Sequence, residues 1–132
     1  MTVLLVSLAV AALLAVLHRR REGRLRSRDT REDLRPLLAE HGERATLLQF
    51  SSAFCAPCRA TRRTLADVAA VVPGVVHVEL DAESHLDVVR RLNVLKTPTT
   101  LVLDAAGREA FRASGQPRKA EVLAALGHAV TP

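Results

Sequence analysis

The sequence predicts an α/β domain, a central mixed sheet flanked by helices, preceded by one N-terminal apolar helix. Residues 1–17 (MTVLLVSLAVAALLAVL) carry no charged side chain. From residue 30 onward, amphipathic segments of helix length alternate with short apolar runs of strand length. The last two such runs are joined by a short turn, which adds an antiparallel pair to strands otherwise linked by crossover helices. Of the 132 residues, what lies beyond the apolar stretch fits one domain of roughly 100 residues. With 48% hydrophobic and 25% charged residues, wholesale disorder is excluded. Two cysteines exclude a multi-disulfide scaffold and a zinc site of four Cys ligands.

The net charge of +5 is local. Arg19, Arg20, Arg21, Arg24, Arg26 and Arg28 stand against Glu22, while the other 13 basic residues balance 13 acidic ones. The domain itself is neutral. No Trp or Tyr is present, and Phe50, Phe54 and Phe111 are the only aromatic rings of that kind, so base-stacking platforms are missing. No base-reading groups accompany the arginines, and nucleic acid is excluded as a partner.

As a helix, the apolar run spans about 25 Å, the lower limit for crossing a bilayer, and the arginines behind it can snorkel to headgroups. A secretory signal carries its charge before the apolar run and a small-x-small site after it, whereas here HRRR follows. A buried core helix is the remaining alternative, but a chain this short has little with which to cover a uniformly apolar cylinder. The expectation is a single-pass cell-membrane anchor over 1–17, a basic juxtamembrane linker over 18–29 and a domain over 30–132. Positive segments stay on the cytoplasmic side, which turns the domain towards the cytoplasm and sets the arginines against anionic membrane lipid.

Within the domain, Thr30–Gly42 reads as a helix capped by Thr30, with Leu34, Leu37 and Leu38 inward, although Pro36 requires it to begin near Arg35. Ala45–Ser51 (ATLLQFS) is a nearly continuous apolar run, as for a buried strand. Cys58–Val72 is a helix with Leu65, Val68, Ala69 and Val72 on one face, ended by Pro73-Gly74. Val75–Leu80 is a strand. Ser84–Leu92 is a short helix capped by Ser84, with Leu86, Val89 and Leu92 inward. Thr99–Asp104 and Arg108–Ala113 form a hairpin across Ala105-Ala106-Gly107. Ala120–His128 is a last helix, with Leu123 and Leu126 buried.

Cys55-Ala56-Pro57-Cys58 falls between a buried strand and a helix. A thiol at that place meets unpaired backbone N–H groups and the positive end of the helix dipole, which favour its thiolate. Pro57 fits a first helical turn, and Cys58 can close a small ring with Cys55. A metal site completed by His77, His85 or His128, a structural disulfide and a pair of inert thiols are the alternatives. The spacing in this setting favours reversible thiol–disulfide exchange, with no metal or cofactor. His41, His77, His85 and His128 carry no spacing that compels a role.

The LLQF strand leading into FCAPC, the LKTPT stretch and the Asp104–Gly107 turn resemble the thioredoxin family from Thr46 to Gly127. With the apolar leader and arginine cluster, the chain is similar to membrane-anchored thioredoxin-like proteins of actinobacteria. The resemblance implies a thioredoxin-like fold, Cys55 as nucleophile and Cys58 as resolving thiol. It also implies a cis peptide before Pro98 and substrate contact by Phe54, Ala56, Pro57, Thr97 and Pro98. Gly115 falls beside that surface. Phe54 and Ser51 stand where family members often carry Trp. Gln49 replaces a buried Asp that serves as proton relay at the second thiol, and an amide cannot ionise near neutral pH. Proton transfer at Cys58 is therefore expected to be slow or to depend on an external base.

The implied activity is membrane-anchored reduction of protein disulfides, fed by an upstream dithiol or a thioredoxin-reductase-like donor. An extracytoplasmic oxidoreductase of the cytochrome-maturation type and a non-catalytic interaction module on the same fold are the rival functions.

Overall fold

The computed structural model describes residues 1–131. The elements are α1 (Thr2–Arg21), β1 (Arg26–Ser27), a 3-10 turn (Arg35–Leu37), β2 (Ala45–Ser51), α2 (Ala56–Val71), β3 (Val75–Asp81), α3 (Leu86–Arg91), β4 (Thr99–Asp104), β5 (Glu109–Ser114) and α4 (Lys119–Ala129). The five strands lie in the order β1-β5-β4-β2-β3, with β2 and β3 parallel and the remaining pairs antiparallel.

All seven residues of β2 are buried, which explains its lack of alternation: a central strand covered on both faces has no polar side. The pleat divides its side chains between two apolar layers. Leu48 and Phe50 pack with Val78, Leu101 and Leu103 against Val88, Leu92 and Leu34. Ala45 and Leu47 pack with Val75 and Val102 against Leu65 and Val68 of α2 and Val122 and Leu126 of α4. The helices thus cover opposite faces, as a mixed sheet with crossover connections requires.

Several expectations are corrected. Thr30–Gly42 is not a helix but an extended segment with one 3-10 turn. Asp33 accepts hydrogen bonds from the Arg35 amide and guanidinium, Leu34 N–H donates to Gly107 O at 2.9 Å, and Pro36 removes a donor that a longer helix would need. Leu34, Leu37 and Leu38 still reach the core, so the burial expected of them survives the change of backbone. Ser84 caps no helix: its hydroxyl donates to Asp81 Oδ2 at 2.7 Å, and α3 begins only at Leu86, which is exposed. Leu123 also faces outward, while Val122 and Ala125 fill the place beside Leu126.

The basic stretch holds more structure than a linker. α1 continues to Arg21, and Arg26–Ser27 add an edge strand to β5, Arg26 opposite Arg112. Gly23, at φ +74°, turns the chain between them; its N–H donates to Ser114 O at 2.7 Å, and a Cβ there would strike Gln116 O. No residue of α1 is buried against the domain, which removes the core-helix alternative.

The edge of the sheet is tied down by a nearly buried ion pair. Arg112 clasps Glu109 with Nε–Oε1 at 2.5 Å and Nη2–Oε2 at 2.8 Å, while its Nη1 donates to Leu92 O. Glu109 is 2% exposed, and its other cation, Arg28, stands 3.8 Å away, so removal of the Arg112 guanidinium would take both close hydrogen bonds from a buried carboxylate. Arg112→Met is expected to lower unfolding free energy by about 3–5 kcal/mol, measured by urea unfolding of the micelle-solubilised chain. The double variant Glu109→Leu/Arg112→Met should recover most of that loss.

Candidate active site

The chain leaves the C-terminal end of β2 and passes through Ser52–Phe54 into the N-terminus of α2. Cys55 is the N-cap of that helix, and its Sγ accepts a hydrogen bond from the Cys58 N–H at 3.2 Å. A backbone amide and the dipole end of a 16-residue helix therefore point at this sulfur, the field that stabilises a thiolate. Pro57 lies in the first turn, where an N–H would have no intrahelical partner. The two sulfurs are joined, with S–S 2.11 Å and Cα–Cα 5.2 Å. Cys55 is half-exposed and Cys58 is buried, so only the first sulfur is open to an incoming group.

Phe54 stands fully exposed with φ +57°, a left-handed conformation disfavoured for an aromatic residue. The Thr97–Pro98 peptide is cis. Ser52 and Thr97 hydroxyls share a hydrogen bond at 2.8 Å, which ties the dithiol loop to the proline loop, and Gly115 N–H donates to Pro98 O at 2.7 Å. Pro57, Thr97, Pro98 and Gly115 thereby line one groove. Of the residues expected at the site, Pro57, Thr97 and Pro98 share this groove, while Phe54, Cys55, Ala56 and Cys58 follow one another along the loop and first turn of α2 that carry the disulfide.

Gln49 lies beneath the disulfide, wholly buried on the face of β2 that meets α2. Its Nε2 donates to Cys58 O and to Ser51 Oγ, both at 2.9 Å, and its Oε1 lies 3.0 Å from His77 Nε2. Both amide hydrogens are spent, so His77 is the donor in the last contact and carries its proton on Nε2. The amide grips the backbone of Cys58 and not its sulfur. The hydroxyls of Thr61 and Thr100, also buried, have no hydrogen-bond partner among the described residues.

The sequence names His77 only as one candidate ligand among several and compels no role for it. On a strand of alternating exposure, either face was open to it; the parallel register with β2 puts it on the α2 side with Glu79. Burial pushes its pKa below the ordinary imidazole value, against the raising influence of Glu79. Hydrogen bonds from Arg62, with Nη2–Oε1 at 2.7 Å, hold Glu79 below the usual carboxylate range. The other candidate ligands go elsewhere: His85 Nδ1 meets Asp81 O, and His128 packs on Phe111. Among the described residues no three His, Cys, Asp or Glu side chains gather to hold a metal.

A histidine with a depressed folded pKa is neutral where the unfolded one has begun to charge. Its contribution to stability is present above pH about 6.5 and lost as pH falls through the folded value. His77→Asn, which keeps a donor for Gln49, is expected to flatten the decline in stability between pH 7 and 5, measured by urea midpoints across that range. An unchanged slope would remove His77 from the titration.

Comparison with known proteins agrees with this geometry. The thioredoxin-like domain family matches residues 36–130. The chain is 34% identical over 70 residues to human thioredoxin domain-containing protein 2, covering 53% of this chain and 13% of that one. It is 32% identical over 66 residues to rice thioredoxin H5, covering 50% of this chain and 48% of that one. The chain thus spans less than half the length of these two curated relatives. Among solved structures, a chloroplastic thioredoxin z superposes with TM-score 0.59 at 25% identity, over 65% of this chain and 78% of that one. Spinach chloroplast thioredoxin f shares the fold with TM-score 0.61 at 20% identity, over 73% and 85%. With a C-x-x-C disulfide at a helix N-terminus beside a cis-proline, on a mixed sheet that matches this family over most of its length, the chain belongs to the thioredoxin-like family.

Proposed function

We propose that the chain is a membrane-anchored protein-disulfide reductase facing the cytoplasm. The observation that carries the redox chemistry is the half-exposed Cys55 sulfur, held at the N-terminus of α2 within a disulfide to a buried partner. In the reduced form, the Cys55 thiolate attacks one sulfur of a substrate disulfide, forms a mixed disulfide and expels the other sulfur as thiolate. The Cys58 thiol gives up its proton, attacks Cys55 Sγ and releases the second substrate sulfur. Two electrons pass from the dithiol to the substrate, whose sulfurs leave as thiols, and the Cys55–Cys58 disulfide remains.

The thiolate of Cys55 is favoured by the Cys58 N–H and the helix dipole. Proton removal from Cys58 falls to water or to a group of the substrate, because Gln49 cannot ionise and spends its hydrogens on Cys58 O and Ser51. Thr97 offers backbone groups beside Pro98 for an extended substrate strand, and Phe54, Ala56 and Pro57 present the opposite wall. An upstream dithiol protein or a thioredoxin-reductase-like donor returns the electrons.

The anchor is α1. It is long and apolar enough to cross a bilayer, and it buries no side chain on the domain, so its apolar run up to Leu17 seeks an apolar surrounding. The arginines that follow orient the domain to the cytoplasm and meet anionic headgroups, and a compartment kept reducing sets the direction as reduction.

In trapping experiments with the full chain in membranes, Cys58→Ser is expected to accumulate mixed disulfides with partner proteins. Cys55→Ser should accumulate none. Equal trapping by both variants, read on non-reducing gels, would overturn the assignment of nucleophile and resolving thiol.

A further inference from the structure

The groove beside the dithiol is only partly made by the domain. Pro57, Thr97, Pro98 and Gly115 line one part of it, and the last turn of α1 and the residue after it, Arg19 and Glu22, line another. Its volume is about 480 Å³. This closure is built in. Glu22 forms an ion pair with Lys96, and Gly23 N–H bonds Ser114 O. Gly115, at φ +95°, leaves room for the junction, since a Cβ there would lie 2.6 Å from Glu22 Cγ. Gly115 is the same residue whose N–H holds Pro98 O. The end of the apolar helix and the proline loop are thus two hydrogen bonds apart through Ser114 and Gly115.

The charge of this groove is one-sided. Arg19, Lys96, Arg118 and Lys119 line it against Glu22 alone, and Glu22 is taken up by Lys96. Arg19, Arg118 and Lys119 have no ion-pair partner among the described residues. The adjoining cleft continues the field, with Arg20 and Arg24 against Glu121. Across both clefts six cations face two carboxylates, although the domain as a whole is neutral. A concave surface lined by one sign of charge draws the opposite sign and rejects its own.

We propose that the end of α1, the proline loop and the N-terminus of α4 form one basic substrate groove, which selects disulfides flanked by acidic residues in an extended segment. The inference rests on the oxidoreductase reading and names the substrate class of that same site. α1 is then more than a tether, because Arg19 on its last turn supplies part of the selection.

The test uses the full chain in uncharged detergent micelles, reduced and freed of reductant. Three fluorogenic peptide disulfides are offered, identical except for Asp/Glu, Ser or Lys beside the cysteines. An exposed ion pair is worth a factor of about 1.5 to 5, so two or three unpaired cations should favour the acidic over the basic peptide about tenfold at low salt. At 0.5 M NaCl, where screening acts within about 4 Å, the ratio should fall towards one. Arg118→Glu/Lys119→Glu should collapse or invert the ratio, and Arg19→Glu should reduce it several-fold. Acidic side chains are favourable at the α4 N-terminus, so the double variant keeps its helix. A ratio within about twofold in the unaltered chain, with the Ser peptide reduced, would overturn the groove and leave the oxidoreductase standing. Reduction of none of the three would overturn both.

Discussion

Burial of β2 on both faces is the constraint from which the rest follows. Ala45–Ser51 has neither a solvent side nor a free edge: β3 and β4 take its backbone groups and two apolar layers take its side chains. The chain leaving such a strand can turn only at the end of the sheet, and α2 must return across one face to cover it. The turn between them therefore lies at the C-terminal end of the central strand, with the helix N-terminus beside it. Cys55 occupies that N-terminus, and its sulfur takes the place of the usual capping oxygen.

The same burial sets the terms for Gln49. A polar side chain in a wholly buried strand is tolerated when its hydrogen-bonding groups are met, and Cys58 O, Ser51 Oγ and His77 Nε2 meet them. The first turn of α2 is thereby fastened to the sheet from below. An Asp in that place would bring a titratable charge beneath the resolving thiol, whereas the amide brings geometry alone. His77 and Glu79, which do titrate, stand one strand further out, on β3.

Much of this was legible in the sequence because it rests on short-range chemistry. β2, α2, β3 and the β4–β5 hairpin announce themselves by apolar runs and by Pro73-Gly74 and Gly107, and the dithiol is a local motif. The misreadings come from tertiary competition. The periodicity of Leu34, Leu37 and Leu38 suggested a helix, but Asp33 and Gly107 capture the backbone that the helix would have used. Ser84 had an acceptor in Asp81 that outcompeted a capping role. The face of His77 depends on strand register, which no single strand encodes. The 18–29 stretch reads as a basic juxtamembrane linker because its arginines dominate the pattern, yet Gly23 and Gly115 allow the backbone of one to lie against the other. That approach is a matter of two absent side chains far apart in sequence.

Everything proposed for the dithiol requires Cys55 and Cys58 to form a working redox couple of reducing character. That requirement is tested most directly by titrating the full chain in micelles against dithiol–disulfide buffers and reading the fraction oxidised. A reversible two-electron transition is expected near the thioredoxin end of the scale, about −270 mV. A couple at about −120 to −180 mV would mark an oxidant or isomerase and contradict reduction in the cytoplasm. The absence of any reversible transition would contradict the redox function itself.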